Sequence, residues 1–476
     1  MSFSSILSAF GKSHDFIYAR LHWFWLAVAA PVGFAMVFLT PPFQVPDEFA
    51  HYYRASQVSI GVFYGKRDPE KLTSGGDVPT SAVILSKMDG FHRMARDREV
   101  RIDILEATRT RPSSITWDSR REFFPNTSSI IYPPTSYILP AIGLRLGKLV
   151  KAKVLASFFL ARFINYIAAL LMCFFGLLLA TRGKWFLATV LSMPMTLFEM
   201  ASLSQDAFLF GCAALGAGLL SRLLDNPTTG GRDWWTIGSI FFLFTLMCAG
   251  RPVYAPVLIG SALLIALYRK DSARPALIAG SISLAVVIGW SVLASHLMVR
   301  AFATVDAGLQ LRGILESPLG FIRIFVDTWR DEYRGLLSAF IGVLGWLDVP
   351  LQTASYNAYM ILLAITLSFG SYYFLKDVKD SRRGFILVLL SCLASAALIF
   401  IVQYLTWTPV GHQRIGGVQG RYFIPIACFA MLAMKGRTFK TSLGGHAGSF
   451  FALFAVFVMC AVNIGAMFKI LERFYY

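Results

Sequence analysis

The sequence carries little charge for its length and has no cysteine in any polar segment. Of its 476 residues, 15% are charged and 56% are hydrophobic, whereas a soluble domain is usually about 25% charged and about 45–50% apolar. All six cysteines lie inside apolar stretches, which excludes a disulfide framework in the polar loops, and no CxxC spacing indicates a zinc site. The chain also lacks internal repeats, heptad runs and low-complexity tracts.

Apolar runs dominate what is present. Stretches long enough to cross a bilayer, roughly 20 residues each, recur from Leu21 almost to the C-terminus. The pattern predicts an all-α polytopic membrane protein with about eleven transmembrane helices in a single membrane domain. The first run, Leu21–Thr40, is too long for a removed signal peptide and is not followed by a clear small-residue cleavage site.

The net charge of +17 reflects membrane topology rather than nucleic-acid binding. The basic residues cluster in short segments between apolar runs, and no basic groove interleaved with stacking aromatics is visible. These clusters are Arg182 with Lys184, Arg269 to Arg274, Lys376 to Arg383, and Lys435 to Lys440. The positive-inside rule places them, together with Lys12, in the cytoplasm of a bacterial inner-membrane protein whose C-terminus lies outside.

The same membrane topology predicts three extracytoplasmic loops, at residues 41–152, 299–356 and 406–420. The first loop is expected to contain interfacial helices. One of them is 132–150, which carries Arg145 and Lys148 and is predicted to lie in the membrane interface. If 132–150 spanned the membrane, every later basic cluster would face outward, against the positive-inside rule.

The first loop begins with the candidate catalytic residues. Asp47, His51 and Arg54 share one helical face by the i, i+4, i+7 rule, and Glu48 lies beside them. A carboxylate in such apolar surroundings could act as a general base. The alternative interpretation is a capping carboxylate followed by a solvated polar face. Tyr132, in a stiff Tyr-Pro-Pro turn at the end of the loop, is a candidate substrate contact.

Polar residues within or beside the apolar runs extend the predicted site. Arg162 and Asn165 lie in the outer half of a span, where ionisable groups usually face a cavity or a partner. Asp206 and Arg251 are predicted to emerge on the same side. The alternative for Asp206 is a purely structural pair with Arg162.

The second and third loops supply the remaining candidates. Trp346 beside Asp348 suits stacking on a sugar ring, although tryptophan at this level is often only a membrane anchor. In the third loop, guanidinium groups could bind an anionic headgroup, and glycines permit close approach to it. The candidates there are His412, Arg414, Gln419, Arg421 and Tyr422. Anchoring of the loop is the alternative role for these arginines.

Taken in order, five motifs resemble those of an uncharacterised bacterial family of polytopic membrane proteins often found among cell-surface polysaccharide genes. They are Pro46-Asp47-Glu48 with His51 and Arg54, Tyr132-Pro133-Pro134, Ser204 with Asp206, Gly345-Trp346 with Asp348, and Val418-Gln419-Gly420-Arg421-Tyr422-Phe423. That family is in turn similar to the GT-C class of glycosyltransferases, whose sugar donor is usually a polyprenyl phosphate or diphosphate.

The resemblance implies that Asp47 or Glu48 matches the acidic motif supplying the catalytic base, and that Asp206 matches a later outward-facing acid. We expect Arg54, Arg162, Arg251, Arg414 and Arg421 to neutralise the donor phosphate, with a glycan or lipid-linked acceptor as partner. A divalent metal on Glu48 and His51 is a further option, although two ligands are few. Two other functions stay open: a transporter or flippase of a lipid-linked saccharide, and a non-catalytic polysaccharide-assembly protein.

Overall fold

The computed structural model describes residues 16–68, 70, 73–102, 111–225, 233–300, 302–376, 379–434 and 444–476. Two features used to predict the membrane topology, Lys12 and the basic cluster from Lys435 to Lys440, lie outside these residues. The described chain is mainly helical, with short 3-10 turns joining several helices.

The first half of the chain contains nine helices and three strands among the described residues. They are α1 (Leu21–Leu39), α2 (Glu48–Ser59), β1 (Lys66–Asp68), β2 (Thr73–Pro79), α3 (Thr80–Ser86), α4 (Asp89–Arg96), β3 (Arg121–Pro125), α5 (Ile138–Leu149), α6 (Val154–Leu179), α7 (Lys184–Leu191), α8 (Pro194–Met200) and α9 (Gln205–Asp225).

The second half continues the bundle. Its elements are α10 (Asp233–Gly250), α11 (Ala255–Tyr268), α12 (Ala273–Ser295), α13 (Ala307–Glu316), α14 (Pro318–Gly342), β4 (Val343–Leu344), β5 (Val349–Pro350), α15 (Thr353–Lys376), α16 (Lys379–Thr406), α17 (Ile424–Ala430) and α18 (Gly444–Phe474).

Seven helices in the described part of the chain are long and apolar enough to cross a membrane. This supports the prediction of a helical polytopic membrane protein. The seven ranges are Leu21–Leu39, Val154–Leu179, Gln205–Asp225, Asp233–Gly250, Lys270–Ser295, Ser381–Thr406 and Gly448–Phe474, and two shorter apolar helices are Pro252–Tyr268 and Gly420–Ala433. The count of about eleven spans stays a prediction.

The apolar run at residues 185–201, expected from the sequence to be one of the spans, is not one continuous helix. It divides into α7 and α8 at Ser192 and Met193, directly before Pro194. Proline has no backbone N–H and disfavours helical geometry in the residue before it, and Met193 is accordingly extended, with φ −60° and ψ 139°. The Ser192 carbonyl freed by this break accepts hydrogen bonds from the Tyr359 hydroxyl and the Asn463 amide.

The long first loop also contains three short strands within this mainly helical fold. Strands β1, β2 and β3 form an antiparallel sheet in that order, with Gly76 opposite Phe124 in the second pair. Strands β4 and β5 form a second, two-residue hairpin. The segment 132–150 becomes a 3-10 turn followed by the 12-residue α5. At about 1.5 Å per residue, α5 is too short to span a bilayer.

Small residues hold the centre of the bundle together. Helices α6 and α9 pack closely because Gly176 and Gly218 bring the two backbones together. A Cβ added to Gly218 would lie 2.3 Å from the carbonyl oxygen of Gly176. Such small-residue contacts replace the hydrophobic driving force that helices lack within lipid.

The described parts of the loops meet at one end of the bundle, which we call the loop face: residues 41–68, 70, 73–102, 111–152, 299–300, 302–352 and 407–423. The Trp346 indole donates to the carbonyl of Phe43 at 2.8 Å, and the backbone N–H of Val410 donates to Thr304 at 2.9 Å. The 3-10 turn Gly420–Phe423 rests on α14, where a Cβ on Gly420 would lie 2.2 Å from the backbone nitrogen of Phe340.

This contact makes Gly420 a sensitive position. We expect Gly420→Ala to destabilise the protein at or above the upper end of the usual overpacking cost, about 1–3 kcal/mol, because backbone rather than a mobile side chain blocks the methyl group. Thermal unfolding in lipid nanodiscs would measure the effect. Gly416→Ala is the matched control, since the nearest atom to its added methyl is Trp407 Cδ1 at 3.8 Å. Equal melting temperatures for the two variants would contradict the packing described here.

Candidate functional site

The chain reaches the candidate site through a strained turn after α1. Phe43 and Asp47 both adopt positive φ, at 66° and 62°. For residues other than glycine this region is sparsely populated, and such strain concentrates at functional sites. Asp47 occupies the N-cap position of α2, yet no capping hydrogen bond from its side chain is present among the described residues. Its carboxylate points away from the helix, so the capping interpretation is wrong.

The Asp47 carboxylate instead contacts Arg421, which lies about 370 residues later in the sequence. Oδ2 of Asp47 is 2.6 Å from Nη2 of Arg421. The same guanidinium binds Glu199 through Nη1 and lies 3.5 Å from Asp206 through Nε. Arg421 is fully buried, as are Glu199 and Asp206, whereas half of the Asp47 side chain is exposed. Asp47 is therefore the acid of this group that an incoming molecule can reach.

A second arginine completes what we call the ion cluster: Asp47, Glu199, Asp206, Arg251 and Arg421. Arg251 Nη2 lies 2.8 Å from Oδ1 of Asp206. Its guanidinium also lies over the Tyr422 ring, 4.3 Å from the centroid, a cation–π geometry. In the described structure Nη1 of Arg251 has no hydrogen-bond partner, and 12% of the side chain is exposed. Nη1 itself is buried, so it is the exposed 12% of the Arg251 side chain that an incoming anion could contact.

His51 lies beside the cluster in a hydrogen-bonded chain. Its Nδ1 is 2.7 Å from the Tyr137 hydroxyl, and its Nε2 is 3.4 Å from Oγ of Ser204. Burial lowers the pKa of His51 to about 4, although Asp47 and Asp206 oppose the shift. The imidazole is consequently neutral at physiological pH.

The pKa of Asp47 is set by opposing causes. Burial alone would raise it, but the charges of Arg421 and His51 and the Arg421 hydrogen bond lower it below its ordinary value. The carboxylate is therefore ionised at neutral pH and available as a proton acceptor.

Several buried polar atoms of residues close in sequence to Tyr137, Ser204 and Arg421 lack hydrogen-bond partners among the described residues. Both amide atoms of Gln205 are buried and lack hydrogen-bond partners in the described part of the chain, as does Oε1 of Gln419. Oγ of Ser136 is in the same situation and lies with Oε1 of Gln205 near Gly250. Leaving such groups unpaired costs about 1–3 kcal/mol each. A polar ligand or ordered water would relieve this cost.

Glu48 and Arg162 form a separate and wholly buried ion pair. Oε1 of Glu48 accepts from Nε of Arg162 at 2.7 Å, and the second oxygen accepts from Nη2. Backbone N–H groups of Phe43 and Leu203 fill the remaining acceptor positions of Glu48. Arg162 also donates to the carbonyls of Val37, Thr40 and Pro41. This pair fastens the turn after α1 to the bundle, and it leaves neither residue open to substrate.

That arrangement corrects two expectations. Asp206 pairs with Arg251 and Arg421 rather than with Arg162. A metal on Glu48 and His51 does not fit either, because both Glu48 oxygens are occupied by Arg162 and backbone groups. More widely, no group of three or more metal-binding side chains occurs among the residues described.

Arg54 and Asn165 have positional roles. Arg54 is fully buried and donates to the carbonyls of Tyr132, Val62 and Phe63, with burial lowering its pKa to about 10. These bonds tie α2 to the end of the loop and leave Arg54 no evident capacity for phosphate. Asn165 donates to the carbonyls of Ser202 and Ser204 and so shapes the turn before Asp206.

The other predicted residues separate into two groups. Tyr132 lies against His51, with ring centroids 6.4 Å apart, and Gln419 and Tyr422 flank Arg421 in sequence, with Tyr422 stacked under Arg251. Of the remaining four, three side chains contact residues outside the ion cluster and one is exposed. Trp346 bonds Phe43, Asp348 pairs with Arg473 at 2.8 Å, Arg414 pairs with Asp331 at 2.7 Å, and His412 is exposed.

Sequence reasoning missed Glu199 as a site residue. Glu199 is the one carboxylate in the otherwise apolar run Pro194–Met200. An ionisable group within such a run needs a partner, and this was the signal that could have identified it. Its partner, Arg421, was itself a candidate.

Comparison with known proteins identifies a family for this chain. The profile of the family described as predicted membrane protein, DUF2142, matches residues 31–430. The chain belongs to this family. The matched range contains the whole ion cluster as well as Glu48, His51 and Arg162. No curated protein and no solved structure matches the chain.

The buried pair of this DUF2142 protein gives a stability prediction. Glu48→Gln leaves the Arg162 charge uncompensated, and breaking one partner of a buried pair costs about 3–5 kcal/mol. A large fall in melting temperature is expected in nanodiscs, with partial recovery in the Glu48→Gln/Arg162→Met double variant. Asp225→Asn is the control, because the Arg182–Asp225 pair is partly exposed and such pairs contribute about 0–1 kcal/mol. Equal losses for the two single variants would remove the structural role assigned to Glu48.

His51 gives a pH prediction. Its pKa is 6.5 in the unfolded chain and about 4 in the folded protein, so the unfolded chain binds more protons between these values. Stability therefore falls as pH drops through this window. The loss attributable to His51 is roughly 2–3 kcal/mol. Melting temperatures of wild type and His51→Asn, compared at pH 7 and pH 4.5, should show the smaller pH-dependent loss in the variant. Parallel pH profiles would show that His51 is not buried in its neutral form.

Proposed function

We propose that this DUF2142 protein is a GT-C-like glycosyltransferase of the bacterial inner membrane. It transfers a sugar from a polyprenyl-phosphate-type donor to a cell-surface glycan or lipid-linked acceptor on the extracytoplasmic side. The observation that carries the proposal is Asp47: a strained, half-exposed carboxylate within an otherwise buried ion cluster at the loop face of a membrane bundle.

In the proposed reaction Asp47 is the general base. It takes the proton of an acceptor hydroxyl while that oxygen attacks the anomeric carbon of the donor sugar. The bond between the anomeric carbon and the phosphate oxygen breaks, and its electron pair leaves with the phosphate. Because Arg421 lowers the pKa of Asp47, proton transfer must accompany bond formation, when the hydroxyl becomes strongly acidic.

The arginines available to the departing phosphate are fewer than the five first expected. Arg54 and Arg162 are occupied by carbonyls or Glu48, and Arg414 lies with Asp331. Arg251 belongs to the ion cluster and keeps 12% of its side chain exposed, so it is the best placed to bind phosphate. Arg421 contributes by holding Asp47 in place. Such preorganised charge is often a large contribution to catalysis.

The proposed orientation in the membrane is supported by basic residues at the end of the bundle opposite the loop face. Arg182 pairs with Asp225 and Arg269 contacts Asp233, at the ends of α9 and α10 remote from the ion cluster. These basic connections fit a cytoplasmic position under the positive-inside rule. The loop face would then lie outside, where polyprenyl-linked sugars are consumed.

A transporter or flippase of a lipid-linked saccharide is the second candidate. The observation that favours it is the break between α7 and α8 inside the bundle, since transporters bind substrate at interrupted helices. Against it, the Ser192 carbonyl at the break already accepts hydrogen bonds from Tyr359 and Asn463, and neither Ser192 nor Met193 is charged. The charged residues gather at the loop face instead.

The deciding experiment measures transfer of radiolabelled sugar from polyprenyl-phosphate donors to endogenous acceptors in isolated membranes. Asp47→Asn should lower the rate by about 10²- to 10⁴-fold, the usual contribution of a general base, while donor binding persists. Asp331→Asn is the matched control: it also changes a loop-face acid to its amide, but outside the ion cluster, and should transfer at the wild-type rate.

Other outcomes discriminate among the functions. Full transfer by Asp47→Asn would remove the base assignment. Movement of labelled lipid across the bilayer without transfer would favour the flippase. Donor binding with neither activity would favour a non-catalytic assembly role.

A further inference from the structure

Helices α13 and α14 carry an apolar stripe that the described protein leaves uncovered. Within each helix its members recur three or four residues apart, so they share one side of that helix. They are Leu311 and Leu315 on α13, and Leu319, Ile322 and Val326 on α14, which are 47–80% exposed. Soluble proteins rarely leave a continuous apolar surface of this kind uncovered.

The opposite side of α14 already has partners. Phe321 packs against Tyr404, and Phe325 lies 4.9 Å from Phe400, both near the end of α16. Thr328 accepts the backbone N–H of Ile415 at 3.0 Å. The stripe is therefore a second surface of the helix and not its buried face.

Charged residues form a third sector beside the stripe. Arg323 is 87% exposed and Arg330 is 68% exposed, and both lie near Asp327, at 4.0 and 3.2 Å. A helix with one side on protein, one side apolar and exposed, and an adjacent charged side has the pattern of an interfacial amphipathic helix. Opposite charges in pairs suit a headgroup layer without requiring anionic lipid.

Two further aromatic side chains of the loop face are exposed. Phe302 and Trp407 are both exposed and contact each other at 5.2 Å between ring centroids. Trp407 follows the end of α16, one of the seven apolar helices able to cross a membrane. Exposed tryptophans at the ends of spans are typical of the membrane–water interface.

We propose that the stripe on α13 and α14 faces lipid, so that these helices lie in the membrane interface of the loop face. The occupant of the stripe is bilayer lipid and not a protein partner. This assignment does not depend on the proposed glycosyltransferase activity. It matters for the site because α14 supports Gly420, the residue before Arg421.

Site-directed spin labelling tests the proposal in the full-length protein, with its native cysteines replaced by alanine and reconstituted into phosphatidylethanolamine–phosphatidylglycerol vesicles. Labels at Leu319→Cys, Ile322→Cys and Val326→Cys should be several-fold more accessible to oxygen than to a water-soluble nickel complex. Labels at Arg323→Cys and Arg334→Cys, on the charged side of α14, should show the reverse preference.

Two results would overturn the proposal. If the nickel complex reaches the stripe as readily as Arg334, the stripe faces water. If neither reagent reaches it, another protein or a second copy of the chain covers it. A melting temperature for each labelled variant checks folding, and the three stripe positions, all exposed, provide independent readings.

Discussion

The loop face depends on one buried guanidinium. Arg421 contacts carboxylates from three separate parts of the chain: the turn after α1, helix α8 and the start of α9. Burying an arginine away from water is favourable only when acids and hydrogen bonds compensate its charge. The requirement also works in the other direction for Glu199, because this carboxylate is fully buried and is compensated by Arg421. The interaction therefore fixes how the first and last loops meet.

The two buried ion systems near this arginine differ in what they leave open. Glu48 and Arg162 satisfy each other and the surrounding backbone, so the pair is closed to any ligand. The ion cluster has three carboxylates against two guanidiniums, a formal excess of one negative charge if all are ionised. It also retains an unpartnered Arg251 nitrogen and a half-exposed Asp47. An arrangement that is incomplete in both charge and hydrogen bonds is suited to chemistry, whereas a complete one is suited to stability.

Much of this site could be predicted from the sequence, because charged side chains within or beside apolar runs carry a high free-energy cost. An ionisable residue within an apolar run implies a partner, which brought Arg162 into the prediction. Arg421 entered as a guanidinium of the glycine-containing third loop. What periodicity could not reveal was the pairing. Arg162 and Arg421 looked equivalent, yet one binds Glu48 and the other Asp47, because adjacent acids leave the same turn in opposite directions. Asp47 also adopts a left-handed conformation, which has no sequence signal of its own.

The same limit applies to the fold. Long apolar runs predicted helices such as α6 and α9 well, but the break before Pro194 needed the backbone to show how Tyr359 and Asn463 satisfy the freed carbonyl. The small sheet in the first loop was missed because β2, Thr73–Pro79, has two glycines and no alternating apolar pattern. Its partner β3 pairs across more than 40 residues, and such non-local pairing is invisible to local propensity.

The placement of Gly420 joins the surface of α14 to the interior of the site. A residue with any side chain would hold the 3-10 turn away from α14, and Arg421 would then move from its three carboxylates. The position of the guanidinium is thus set by a helix whose other side is apolar and exposed. The lipid contact proposed for α14 would therefore bear on the position of Arg421 through Gly420, because the turn that carries both residues rests on this helix.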